Sequence, residues 1–397
     1  MRLIRDLSLP AVIAGFVTVL VGFTSSAVIV FQAANAVGAS AAQVASWMWA
    51  LGLGMGLTCI LLSLRYRVPV VTAWSTPGAA MLITGAAGVT IGEATGAFLV
   101  SAAMITVAGF SGWFERMINR IPVSLASGML AGVLLRFGMD VFTAMKTQFL
   151  LAFLMFLAYL LGRRAFPRYA VIATLALGIA IAAAQGLLRL EGVRLDLARP
   201  EFVMPVFSLP ALIGVALPLF VVTMASQNVP GVAVIRASGY AVPISPVIGW
   251  TGVANLLLAP FGGYALNLAA ITAAICMGRE AHEDPARRYV AAVAAGCFYL
   301  LIGVFGAAVG AVFAAFPKEL VLVIAGLALF GTIGNGLAAA LGNESEREPA
   351  LVTFLVTASG VTLFGIGSAF WGLVAGVIAL LALRYRKAAP PQQAHGK

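Results

Sequence analysis

Val70-Val71-Thr72-Ala73-Trp74-Ser75-Thr76-Pro77-Gly78-Ala79-Ala80-Met81-Leu82-Ile83-Thr84-Gly85 reads as two secondary structures joined inside one hydrophobic stretch. Val70 to Trp74 is β-branched and aromatic behind Pro69, which suits a short extended segment better than a helix. From Thr76 the pattern changes. Ser75 or Thr76 can cap a helix, Pro77 suits its first turn, and Gly78 to Leu82 continues as apolar helix. A helix that begins inside a bilayer points unpaired N–H groups and the positive end of its dipole at whatever lies before it, so this stretch is a candidate anion site. The competing reading is an ordinary membrane helix that tolerates a proline near one end.

The surrounding chain supports a membrane setting. Of 397 residues 62% are hydrophobic and 10% charged, and the mean hydropathy is +1.04. The pattern is apolar segments separated by short polar loops, which predicts one integral helical bundle of about 14 spans. Residues 9–31 are too long for a signal-peptide core and read as the first span. The formal charge of +10 does not indicate nucleic acid, because the basic residues stand singly or in pairs at segment ends. Counted by side, only Arg136, Lys146, Arg189, Arg194, Arg199 and Lys318 fall opposite the N-terminal face, which predicts cytoplasmic termini. Cys59, Cys276 and Cys297 lie in apolar segments without metal or disulfide spacing and read as buried free thiols.

Interrupted segments recur in corresponding places of the two halves, the mark of an inverted repeat. Pro260-Phe261-Gly262-Gly263-Tyr264-Ala265-Leu266-Asn267-Leu268 is the counterpart of the opening stretch, under a shift that sets Trp74 on Tyr264 and Pro77 on Asn267. On that alignment Asn267 is the expected cap of a second half-helix, in span ten. The first and eighth spans each turn polar partway, at Thr24-Ser25-Ser26 and at Ser226-Gln227-Asn228. Adjacent amides are costly to bury and the following Pro230-Gly231 is expected to break the helix, so Gln227 and Asn228 read as substrate or inter-helix contacts. No Asp, Glu or His stands clearly at mid-membrane, so neither an acid relay, a catalytic set, a metal site nor a cofactor site is read.

These features resemble the BenE family of benzoate:proton symporters along essentially the full length. The resemblance is carried by Asp6-Leu7-Ser8, by Thr72 to Ala80, and above all by Thr223-Met224-Ala225-Ser226-Gln227-Asn228-Val229-Pro230-Gly231. It implies kinship with nucleobase permeases and sulfate-type anion transporters, whose fold has two inverted repeats of about seven spans each. On that pattern residues 1–120 and 206–316 form a core domain, 121–205 and 317–387 a gate domain, and 388–397 a polar tail. Nucleobase permeases carry glutamates where this chain has Ser226-Gln227 and Leu266. Amide and apolar groups there suit a planar substrate with its own negative charge, since a neighbouring Glu repels a carboxylate.

The resulting expectation is import of an aromatic carboxylate, benzoate, with a proton across the bacterial cytoplasmic (inner) membrane by alternating access. A nucleobase or inorganic-anion transporter on the same fold is the alternative, and no enzymatic activity is expected. The carboxylate is expected between Ser75, Thr76 and Asn267, with Gln227 and Asn228 adding hydrogen bonds, Trp74 and Tyr264 flanking the ring, and Ser25 closing the site. The partners expected are the lipid bilayer, the carboxylate and the proton, with a homodimer through the gate domain suggested by relatives.

Overall fold

The computed structural model describes residues 6–86, 88–166, 169–188, 197–305, 316–361, 363 and 368–385. Helix α1 (Leu9–Ala36) is capped by Ser8, whose Oγ accepts from the Ala11 N–H, and α2 (Ala41–Tyr66) opens with a Ser40/Gln43 capping box. Strand β1 (Thr72–Trp74) leads directly into α3 (Thr76–Gly85), followed by α4 (Ile91–Phe110) and the short α5 (Trp113–Ile118). Three further helices, α6 (Val123–Thr143), α7 (Phe149–Ala165) and α8 (Ala170–Ala184), precede the long interrupted helix α9 (Leu209–Ala237). Then come α10 (Ile244–Leu258), strand β2 (Leu266–Leu268), α11 (Ile271–Met277) and α12 (Tyr289–Phe305). The chain closes with α13 (Lys318–Leu341), α14 (Arg347–Ala358) and α15 (Ser368–Tyr385). Among the described residues, 7 helices are long and apolar enough to cross a membrane.

Helix pairing follows small residues, as expected where lipid leaves van der Waals fit to drive association. Helix α12 packs along α2 and α1, and a Cβ added at Gly52 would come within 2.6 Å of the Gly303 backbone. Helix α10 packs along α4, where Gly109 faces Gly249. A separate group forms around α6, which packs on α13 and α14, with Gly128 against the Ala350 carbonyl. Helix α7 packs on α8, and α14 on α15. The principal bridges between the groups are α9 on α6 and α13 on α1.

At the centre of the first group, β1 and β2 pair antiparallel, with Thr72 opposite Leu268, Ala73 opposite Asn267 and Trp74 opposite Leu266. The ladder extends through Ser75 N–H to Ala265 O (3.1 Å) and Ala269 N–H to Val71 O (2.9 Å). Two strands leave two outer edges, and backbone groups on a buried edge need partners. On β2, Asn255 takes the Leu266 N–H at its Oδ1 (2.8 Å) and donates from Nδ2 to the Leu266 carbonyl (3.2 Å). Asn228 Oδ1 takes the Leu268 N–H at 2.9 Å. On β1, Cys59 Sγ takes the Thr72 N–H at 3.2 Å, and Ser63 Oγ both accepts from Val70 N–H and donates to its carbonyl.

Four sequence expectations are corrected by these details. Asn267 is not a helix cap: it lies within β2, while α11 starts after Ala270 with no side-chain cap. A shift that sets Trp74 on Tyr264 and Pro77 on Asn267 therefore lays neither β1 on β2 nor the start of α3 on that of α11. Pro230 does not break its helix. Both Pro218 and Pro230 follow a wide turn, at Leu212–Ala216 and Met224–Asn228, because a proline lacks the N–H of the regular ladder and crowds the carbonyl one turn back. Of the thiols, Cys59 and Cys276 are buried but Cys297 is exposed.

The clamp on β2 predicts that Asn255→Leu, which strands both backbone groups of Leu266, weakens the folded state by about 2–5 kcal/mol. The measurement is the thermal unfolding midpoint in detergent, compared with Leu257→Ala on the exposed face of the same helix. Equal shifts in the two variants would refute the clamp.

Candidate functional site

The end of β1 and the start of α3 open onto a cavity of about 320 Å³. Its walls include Trp74, Phe137 and Tyr299, and its polar groups include Ser26, Thr76, Gln227 and Thr272. Among the described lining residues there is no carboxylate, imidazole, ammonium or guanidinium. Trp74 is fixed by donating its Nε1–H to Ser26 Oγ at 2.9 Å, while Ser26 donates to the Gly22 carbonyl at 2.9 Å. Phe23 meets the indole edge to face, with centroids 5.9 Å apart. Gly22 keeps the floor open: a Cβ there would stand 3.2 Å from the Tyr299 hydroxyl and 3.4 Å from Thr272 Cγ2.

Polar side chains near this cavity fall into two groups. Thr76, Gln227 and Thr272 line the cavity, and their side chains make no hydrogen bond among the described residues. The others are committed to the fold. Ser75 is fully buried; its Oγ caps α3 through the Gly78 N–H (3.1 Å) and accepts from Thr223 Oγ1 (3.3 Å). Asn228 holds β2 and donates its other amide group to Met224 Sδ at 3.1 Å. Beside it, Gly231 lets β2 approach, since a Cβ there would lie 2.5 Å from that of Leu268. The Gln227 to Gly231 motif thus does two jobs, with Gln227 facing the cavity and Asn228 with Gly231 seating the strand.

The expected ring clamp is also redistributed. Trp74 lines the cavity, but Tyr264 lies behind it, 1% exposed, against Trp47 and Phe98 at centroid distances of 5.6 and 6.2 Å. Its hydroxyl donates to the Ser75 carbonyl at 2.9 Å, so Tyr264 braces the turn into α3. Asn267 is fully buried and does not line the cavity; its Nδ2 donates to the Leu268 carbonyl at 2.9 Å and its Oδ1 has no hydrogen-bond partner. The side chain of Ser25 lies outside the described residues. Its neighbour Ser26 is the serine that anchors Trp74, and Phe137, Thr272 and Tyr299 are further lining residues. A hydroxyl inside the apolar run around Tyr299 was the one sequence signal available for that residue; Phe137 had none.

The Benzoate membrane transport protein (BenE) profile matches residues 5–382. The chain belongs to this family. A BenE relative, the "Inner membrane protein YdcO" of Escherichia coli (strain K12), is 52% identical over 374 residues, 94% of this chain and 96% of the relative. The "Benzoate membrane transport protein" of Acinetobacter baylyi (strain ATCC 33305 / BD413 / ADP1) is 41% identical over 384 residues, 97% of this chain and 98% of the relative. Among solved structures, SLC26A9 superposes with a TM-score of 0.53 at 13% identity, covering 96% of this chain and 66% of that one. That likeness places this BenE chain in the same fold, and the chain spans about two thirds of SLC26A9's length.

The open floor predicts that Gly22→Val closes the cavity against the Tyr299 hydroxyl and Thr272. Binding of a ring-sized ligand, followed by quenching of Trp fluorescence, is expected to be lost while the detergent-purified protein still elutes as a single folded species. Undiminished quenching in the variant would show that the ligand binds elsewhere.

Proposed function

We propose that this chain is a secondary transporter that carries benzoate, or a close aromatic monocarboxylate, together with a proton across the cytoplasmic membrane by alternating access. The observation that carries this reading is the central cavity: aromatic walls from Trp74, Phe137 and Tyr299, uncommitted donors from Thr76, Gln227 and Thr272, and no carboxylate among its described lining residues. An aromatic acid needs a flat apolar slot for its ring and a few convergent donors for its carboxylate. Thr76 stands at the first turn of α3, a helix of 10 residues, where free N–H groups and the helix dipole favour negative charge. Helix α11 has 7 residues and adds less. Membership of the BenE family, with a relative named for benzoate transport, supports the choice of substrate.

On this reading the proton travels with the substrate. A carboxylate entering a cavity without a cationic side chain is stabilised by protonation, since burial disfavours its charge. Helices α1 to α4 and α9 to α12 act as the core that holds the cavity, and α6 to α8 with α13 to α15 as the gate, related as two inverted repeats with both termini cytoplasmic. The packing of these helices into two groups, bridged mainly by α9 on α6 and α13 on α1, supports that division.

Purified protein in proteoliposomes is expected to accumulate radiolabelled benzoate under an inward proton gradient, with unlabelled benzoate competing and uracil and sulfate not. Uptake indifferent to the gradient refutes symport. Within the same assay Thr76→Val and Gln227→Leu are each expected to raise KM about fivefold, the loss of one hydrogen bond to the carboxyl group. Unchanged KM in both moves the site away from α3.

A further inference from the structure

A second cavity, of about 220 Å³, lies where the two helix groups meet, and its walls include Arg163, Arg279, Glu280, Ser238 and Asn335. It sits along the same axis as the central one. Helix α6 contributes Phe137 to the central cavity and Leu130 to this one, and α11 borders the first with Ile271 and Thr272 and the second with Met277. At 1.5 Å per residue the seven-residue α11 separates its two ends by about 10 Å. The second cavity faces the side of the N-terminus, because Asp6 accepts from the Tyr289 hydroxyl at 2.8 Å and lies 3.8 Å from Arg287 at the end of the same loop.

Inside this cavity one carboxylate is already held. Glu280, its side chain only 6% exposed, takes a hydrogen bond from Arg163 Nη1 at Oε1, 2.8 Å away. Gly331 on α13 makes room for it, since a Cβ there would stand 3.2 Å from Oε1. Arg163 offers the cavity a fork of N–H donors of which, among the described residues, a single one is engaged. The side chains of Ser238, Asn335 and Arg279 make no hydrogen bond among the described residues. Arg288 is different: its guanidinium donates to the carbonyls of Met277, His282 and Glu283 and shapes the loop.

We propose that this cavity is a second carboxylate station on the path from the central cavity, in which Glu280 occupies Arg163 until the substrate carboxylate takes its place. The proposal rests on the central cavity binding an aromatic monocarboxylate. Glu280 belongs to the loop after α11, whereas Arg163 and Gly331 belong to α7 and α13, so the ion pair ties the two helix groups together on this side. Simply breaking the pair leaves the carboxylate of Glu280, only 6% exposed, without its partner, a costly state for a buried charge. Exchanging one carboxylate for another at the same guanidinium avoids it, and Arg279 on the cavity wall can receive Glu280 as it leaves. Arrival of the substrate and release of the tie are then one event.

The test measures benzoate KM separately at each face, in right-side-out and inside-out membrane vesicles. Arg163→Gln is expected to raise KM about tenfold at the face bearing the termini, the loss of a charge-assisted contact, and to change it less than twofold at the other. Glu280→Gln removes the competitor and is expected to lower KM at the terminal face while slowing maximal transport. Arg163→Lys, which keeps charge and bulk, gives a rise smaller than Arg163→Gln and serves if that variant does not reach the membrane. The exchanged pair Arg163→Glu/Glu280→Arg rebuilds a tie, but moves the cation onto the other helix group; a raised terminal-face KM is expected to persist. Wild-type KM in the exchanged pair would reduce Arg163 and Glu280 to a structural tie and overturn the station, as would unchanged KM at both faces in the single Arg163 variants. Absence of benzoate transport in the unmodified protein would overturn the parent reading, and this one with it.

Discussion

The pairing of β1 with β2 is the constraint on which the rest of the structure depends. Extended chain inside an apolar bundle exposes peptide groups that have no water to turn to, so a two-stranded ladder is stable there only if its outer edges are answered as well. Asn255 and Asn228 do this for β2, Cys59 for β1, and Ser63 for Val70 just ahead of it. These four side chains come from three helices, which ties α2, α9 and α10 to the strands. The result is a fixed point from which α3 and α11 start, and the central cavity opens where they start.

That economy explains why so many polar residues near the cavity do not face it. Ser75, Asn228 and Tyr264 are committed to the strands and to the turn into α3, while Thr76 and Gln227 keep their polar groups for the cavity. Residue type and position in the chain are alike in the two groups; what separates them is whether a backbone group within reach already claims the side chain. Gln227 and Asn228 are neighbours with opposite roles because the wide turn at Met224–Asn228 carries them on a helix whose one side meets β2 and whose other side meets the cavity.

The resemblance of the chain to a transporter family and the identity of its key stretch were legible from residue order, while the finer geometry was not. Asn267 looked like a cap because Asn is a good one, yet it is paired with Ala73 in a ladder whose register depends on a segment far away in the chain. Pro230 looked like a break because proline removes a hydrogen bond, yet the helix absorbs the loss in one wide turn. Tyr299, Phe137 and Ser26 entered the cavity through contacts between helices distant in sequence, which no local pattern encodes.

The sequence by itself determined the elements whose causes are local: the apolar segments, the extended run before Ser75, the cap and proline that start α3, and the motif that carries the resemblance to the BenE family. Only the tertiary structure decided the strand register, the two-group packing of the helices, and which hydroxyls and amides remain free. The physical reason is that a hydrogen bond donated by Leu268 or Leu266 is indifferent to chain distance; it selects Asn228 and Asn255 by their place in space, and whatever polar group it does not select is left to bind something else.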